Sequence, residues 1–217
     1  HMIDSNTKRR VQTSFILLFL IYIMIKFNFF ATYILLVLGV LSIIEFLQIT
    51  KKIFRNFFFH YCSNILFIIY LVIFCYFFIF FINFIHLKIV LYSLILGCVA
   101  SDVGGFIFGK IFKGPKLTKV SPNKTYSGAI GSIILTCFVF SFSLFLFTNS
   151  FSYLILIVSF ITSISCQTGD LFFSFLKRKA KVKDTGNFLP GHGGILDRID
   201  GILIGLPFGF ITFLFLY

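Results

Sequence analysis

Long apolar runs separated by short stretches rich in Lys and Arg set the pattern of this chain. The runs are Ser14 to Ile25, Phe27 to Leu47, Phe57 to Phe84, Ile85 to Phe108, Ser127 to Phe147, Ser150 to Phe175 and Ile202 to Tyr217. A helix needs about 20 apolar residues to cross the hydrocarbon core of a bilayer. Most runs approach that length; the first and last are marginal, and the third is generous. Only a structure that satisfies its own backbone hydrogen bonds can span lipid. The pattern therefore predicts an all-α polytopic membrane protein of about seven transmembrane helices. No small-residue cleavage site follows the first run, and another span begins almost at once, so it reads as a span and not as a removable signal. His1-Met2 reads as a cloning scar.

Composition agrees. Charged residues are 12% of the chain, about half the share of a soluble domain, and no polar domain stands out. The net charge of +12 raises nucleic acid as a partner, but its distribution argues against one. The cations form four clusters between spans: Lys8, Arg9, Arg10; Lys51, Lys52, Arg55; Lys110, Lys113, Lys116, Lys119, Lys124; and Lys177, Arg178, Lys179, Lys181, Lys183. Seven spans with the N-terminus inside put these and Arg198 on one side, leaving only Lys26 and Lys88 opposite. Positive residues are retained in the cytoplasm, so that side is the cytoplasmic one. The expected surroundings are a lipid bilayer. The five cysteines, Cys62, Cys75, Cys98, Cys137 and Cys166, lie in or near apolar runs without CxxC spacing and read as small buried hydrophobes.

The seven acids are unevenly spread. Residues 1–88 hold about three spans and only Asp4 and Glu45. Nothing there suggests chemistry, and the segment reads as a transmembrane scaffold. Residues 89–217 hold about four spans, two basic loops and the other five acids, and read as the catalytic region.

Three constellations stand out in it. In "SDVGGFIFGKIFKGPKLTKVSPNKTYSGAIG", residues 101 to 131, Asp102 falls late in a span, where a carboxylate usually faces a wet cavity or a cation. Gly105 and Gly109 form GxxxG, which suits close helix packing. The turn Ser121-Pro122-Asn123-Lys124-Thr125 at the mouth of the next span is a phosphate-binding candidate. In "QTGDLFFSFLKRKAKVKD", residues 167 to 184, Asp170 ends an apolar run. If the helix continues, Ser174, Lys177, Lys181 and Asp184 share a face. In "KDTGNFLPGHGGILDRID", residues 183 to 200, Gly186 and Pro190 break any helix. Gly191, Gly193 and Gly194 let the backbone turn tightly and aim N–H groups at an anion. Asp197 and Asp200, three apart, face the same way on the helix entering the last span. Oxygen-only carboxylates suit Mg²⁺ and not zinc. Carboxylates for metal with cations and glycines for phosphate amount to equipment for phosphoryl or nucleotidyl transfer.

The stretch "SFLKRKAKVKDTGNFLPGHGGILDRID", Ser174 to Asp200, resembles the signature of phosphatidate cytidylyltransferases (CDP-diacylglycerol synthases). "SPNKT" followed by Gly128 and Gly131 is similar to a second motif of that family, and Asp102 with Gly109-Lys110 to a third. The resemblance covers residues 101 to 201; before that only the hydrophobic pattern agrees. One departure is Ser127, where the family usually has Glu. The resemblance implies joining of phosphatidic acid to CTP, giving CDP-diacylglycerol and pyrophosphate, with Mg²⁺ alone or with a second cation. It points to Asp170 and Asp197 as the metal-holding pair, with Asp200 and Asp184 in support. Lys124, Lys177, Arg178, Lys183, His192 and Arg198 are the implied phosphate contacts. Asp102, Lys110, Ser121, Thr125, Gly191, Gly193 and Gly194 complete the implied substrate site, at the cytoplasmic end of the C-terminal helices. The expected location is the bacterial inner (cytoplasmic) membrane, and the pattern is compatible with a homodimer. Rival readings are a lipid-alcohol kinase or related CTP-using enzyme, a cation-coupled transporter, and a non-catalytic scaffold.

Overall fold

The computed structural model describes residues 23, 26–118, 121–122, 124–149, 151–186, 188 and 193–217. Six helices run through them: α1 (Asn28–Ile53), α2 (Phe57–Phe81), α3 (Ile85–Phe112), α4 (Tyr126–Thr148), α5 (Leu154–Lys179) and α6 (Leu196–Leu216). Each is long and apolar enough to cross a membrane, and no β-sheet is present among the described residues. The first predicted span, Ser14 to Ile25, lies outside the described residues except for Ile23. The other six predicted runs each correspond to one helix. Large apolar side chains such as Phe29 (79% exposed) and Phe138 (65%) cover the outer surface, an arrangement suited to lipid and not to water.

The chain forms two compact units. One comprises His1–Phe80 and Leu176–Arg198, the other Phe81–Phe175 and Ile199–Tyr217. In the first, α1 and α2 make an antiparallel hairpin. Gly39 meets Cys75, Phe46 stacks on Phe67 at 3.9 Å, and the Thr50 hydroxyl donates to Asn64 Oδ1 at 2.7 Å. Position rises on one helix as it falls on the other.

The second unit is held by small residues. Lipid tails are as apolar as side chains, so helices in a membrane associate by close packing and hydrogen bonding. A Cβ at Gly104 would stand 2.6 Å from the Gly131 carbonyl oxygen, and one at Gly128 would stand 2.7 Å from that of Gly105. The backbones of α3 and α4 therefore touch, as the GxxxG spacing predicts. The Ser132 hydroxyl donates to the Ser101 carbonyl at 2.7 Å, and Gln167 Nε2 on α5 donates to the Ala129 carbonyl on α4 at 3.2 Å. On α6, Gly201, Gly205 and Gly209 recur every four residues. They meet Asp170, Cys166 and Thr162 of α5 in reverse order.

Among the helix ends that differ from the apolar runs, two bear on the site. α6 begins at Leu196, six residues before its run, and so takes in Asp197 and Asp200. α5 runs past Asp170 to Lys179 but not to Asp184. The face expected to join Ser174, Lys177, Lys181 and Asp184 therefore does not form. The reason is local. Lys181 adopts a left-handed conformation (φ 56°); its N–H donates to the Arg178 carbonyl and the Val182 N–H to that of Lys177. These paired bonds are the Schellman closure of a helix, here with Lys in the position that usually holds Gly.

Candidate functional site

The second unit contains a hollow of about 300 Å³, at the lower end of the range of small-molecule clefts (about 300–1,000 Å³). Its polar lining includes Asp102, Ser121, Lys124, Thr125, Gln167 and Asp170. Backbone bonds tie Ser121, Lys124 and Thr125 to one another and to the chain before them. Lys124 N donates to the Ser121 carbonyl at 3.0 Å and Leu117 N to the Lys124 carbonyl at 2.8 Å. An antiparallel bridge joins Lys116 to Thr125. Thr125 caps α4, its hydroxyl accepting from Gly128 N at 3.1 Å, which satisfies one of the unpaired N–H groups at a helix start. Ser127, the departure from the family pattern, pairs its hydroxyl with that of Thr125 at 3.0 Å and so supports the cap.

Lys124 Nζ reaches Asp170 Oδ2 at 3.1 Å, with both side chains partly exposed. A carboxylate at the centre of a span costs about 2.5–3.5 kcal/mol on insertion scales, and the ammonium offsets part of that cost. Asp170 also lies against α6: a Cβ at Gly201 would stand 2.9 Å from its Oδ1, and one at Gly169 would stand 2.7 Å from the Asp200 carbonyl oxygen. The Asp200 side chain is buried, and its Oδ1 accepts from Gly201 N at 2.9 Å. The hollow thus combines a cation, carboxylates and hydroxyls from α3, α4, α5 and the loop before α4.

In the first unit, Asp197 is the hub of the loop that follows α5. Its Oδ1 accepts from Lys177 Nζ at 2.7 Å. Its Oδ2 accepts from Thr185 N at 2.7 Å, the Thr185 hydroxyl at 3.0 Å and Gly194 N at 3.1 Å. Gly193 has φ 84°, which glycine alone adopts without strain. Of the glycine N–H groups expected to face an anion, that of Gly194 donates to the Asp197 carboxylate.

Behind this loop lies Glu45 of α1, fully buried. Its Oε1 accepts from Ile195 N at 2.9 Å; its Oε2 accepts from Leu196 N at 2.9 Å and the Thr185 hydroxyl at 2.6 Å.

The remaining expected residues divide simply. Asp184 is exposed beside Gly193, 3.4 Å from where a Cβ there would lie. Arg178, Lys183 and Arg198 are exposed. Lys110 is exposed too, its ammonium 5.8 Å from the Phe106 ring centre. Gly191 and His192 lie outside the described residues. All five cysteines are free, as their spacing predicts.

The sequence pattern of the cytidylyltransferase family matches residues 2–216. The chain belongs to the cytidylyltransferase family. Curated relatives agree. A phosphatidate cytidylyltransferase of Helicobacter pylori is 40% identical over 117 residues, covering 54% of this chain and 44% of the relative. One of Rickettsia felis is 40% identical over 127 residues, 55% of each chain. One of Staphylococcus haemolyticus is 43% identical over 123 residues, covering 56% and 47%. The chain spans about half the length of the curated relatives it matches. This cytidylyltransferase-family chain is an integral membrane protein, with six helices able to span among its described residues.

Within the family member, Glu45 is the residue that sequence reasoning passed over. The signal was present: a lone acid close to the end of the Phe27–Leu47 apolar run, comparable to Asp170 in its own run.

Proposed function

We propose that this chain transfers a cytidylyl group from CTP to phosphatidic acid, forming CDP-diacylglycerol and pyrophosphate. The observation that carries the reading is the Lys124–Asp170 pair beside Ser121 and Thr125 in one hollow, in a chain of this family. An oxygen of the phosphatidate phosphate attacks the α-phosphorus of CTP. The bond from that phosphorus to the oxygen bridging to the β-phosphate breaks, and pyrophosphate leaves with the electron pair. The attacking phosphate is already an anion and needs no strong base. The barrier is repulsion between two polyanions, which fixed cations reduce. Lys124 and the Ser121 and Thr125 hydroxyls would hold phosphates in the hollow. The resemblance assigns Lys177, Arg178, Lys183, His192 and Arg198 to phosphates as well, with Lys110 in the substrate site and Gly191 and Gly193 as glycines of the same signature.

Mg²⁺ fits the donor chemistry. Asp170, Asp197 and Asp200 offer only carboxylate oxygens, with Asp184 in support. No group of three or more His, Cys, Asp or Glu side chains able to hold a metal occurs among the described residues. An ion held by fewer protein carboxylates would take its remaining ligands from water and substrate phosphate oxygens. Bound there, alone or with a second cation, it would neutralise phosphate charge.

Two outcomes test the reading. Purified protein with phosphatidic acid should form CDP-lipid from CTP and turn over far less with ATP. Equal use of ATP, or transfer to a lipid alcohol, would favour a lipid kinase. The membrane is proposed to be the bacterial inner membrane with the site facing the cytoplasm, because spans alternate and the cation clusters then share one side. In a cysteine-depleted variant, single cysteines replacing Lys116 and Lys181 should label with an impermeant reagent from the cytoplasmic face alone. Labelling of the two from opposite faces would sink that topology.

A further inference from the structure

We infer that Glu45 is a positioning residue for the reaction: from α1 it fixes the start of α6 and the Thr185 hydroxyl, and through them it aims the Asp197 carboxylate. What the loop does chemically rests on the cytidylyl-transfer reading; the contact itself does not.

Both oxygens of Glu45 are occupied by the same short segment. The N–H groups of Ile195 and Leu196 stand at the beginning of α6, where a helix leaves its first N–H groups without intrahelical acceptors and carries partial positive charge. Caps normally come from the preceding few residues. This one comes from a different helix, 150 residues earlier in the chain. Glu45 lies eight residues before the end of α1, about 12 Å along its axis, so the loop reaches back along α1 to meet it.

Thr185 couples the two acids. Its hydroxyl lies 2.6 Å from Glu45 Oε2 and 3.0 Å from Asp197 Oδ2. A hydroxyl carries one proton, so the shorter contact takes the larger part of it. Asp197 Oδ2 then relies on the N–H groups of Thr185 and Gly194, both in the segment that Glu45 holds. The glycines complete the fit. A Cβ at Gly186 would stand 2.5 Å from Glu45 Oε1, and one at Gly194 would stand 2.5 Å from Glu45 Oε2 and collide with the Thr185 hydroxyl. Two glycines of the signature loop thus leave the room that the buried acid occupies.

Substitution with Gln exposes the requirement. An amide keeps the volume but turns one acceptor into a donor. Whichever way it is flipped, a donor faces the N–H of Ile195 or of Leu196. Thr185→Val removes only the bridging hydroxyl, and Thr185→Ser restores it.

The test uses the full chain in detergent with two readouts: amide hydrogen exchange across residues 193–198, and steady-state CDP-lipid formation from CTP and phosphatidic acid. Glu45→Gln and Thr185→Val should speed exchange in that segment while the α3 and α4 amides keep parental rates. Both should lower kcat by about 10–100-fold, the usual effect of losing an outer-shell partner, with a smaller change in KM for CTP. Thr185→Ser should return both readouts close to the parent. If Glu45→Gln does not fold, Thr185→Val against Thr185→Ser decides alone. Parental exchange at 193–198 in these variants, or exchange raised equally in every helix, overturns the inference. So does parental kcat with a loosened loop. A parent that forms no CDP-lipid, with the exchange pattern as expected, removes the functional reading and leaves the Glu45 anchor standing.

Discussion

Asp170→Asn and Asp197→Asn are each expected to lose CDP-lipid formation by at least about 10–100-fold at saturating CTP, because ligands of a catalytic cation cost no less than its outer-shell partners. Asn keeps the size and removes the charge. The competing account is that each acid only pairs with its lysine, Asp170 with Lys124 and Asp197 with Lys177. Exposed ion pairs are worth about 0–1 kcal/mol, so under that account the partly exposed Asp170 pair can be broken with little loss of turnover. Asp197 is different. It accepts from Lys177 Nζ and from the Thr185 and Gly194 N–H groups, and its substitution also loosens the loop. Asp170→Asn is therefore the cleaner test, read as the Mg²⁺ concentration needed for half-maximal rate. Asp4→Asn serves as control and should turn over like the parent. If both variants match the parent at saturating Mg²⁺, the metal assignment is wrong.

Gly104→Leu is expected to destabilise the second unit enough to abolish recovery of folded protein or to lower its unfolding temperature sharply. A Cβ there meets the Gly131 carbonyl at 2.6 Å and its carbonyl carbon at 3.0 Å. These are backbone atoms of a packed helix, so no side chain can turn away to make room. Overpacking costs about 1–3 kcal/mol where side chains can adjust, and separation of two backbones should exceed that. The damage reaches function as well, since α3 and α4 frame the hollow that holds Lys124 and Asp102. Gly39→Ala is the matched control. Its Cβ would lie 3.5 Å from Cys75 Sγ, an ordinary contact, and its unfolding curve in detergent should overlay the parent's. Equal stability of Gly104→Leu and Gly39→Ala would show that the close backbone approach is not needed.

Much of this protein is readable from its sequence because the bilayer imposes a strong rule. A span must be apolar and helical, so run lengths located six helices to within a few residues at most ends. Grouping of cations between spans identified the loops, and GxxxG at Gly105 and Gly109 identified the tight face of α3. Acids late in apolar runs marked Asp102 and Asp170, because a carboxylate in such a segment needs a partner, and the three-residue spacing beside the glycine loop marked Asp197 and Asp200.

The tertiary structure decided which partner each acid has. Lys124 is 46 residues from Asp170, and Glu45 is 140 residues from Thr185; no local spacing encodes either pair. The stop of α5 at Lys179 also escaped the pattern. It depends on Lys181 entering a conformation usually reserved for glycine, held there by two backbone bonds that no side-chain periodicity records. The N-terminal half looked inert for the same reason. Periodicity and motifs report what lies near in sequence, whereas a buried carboxylate is satisfied by whatever N–H groups folding brings to it.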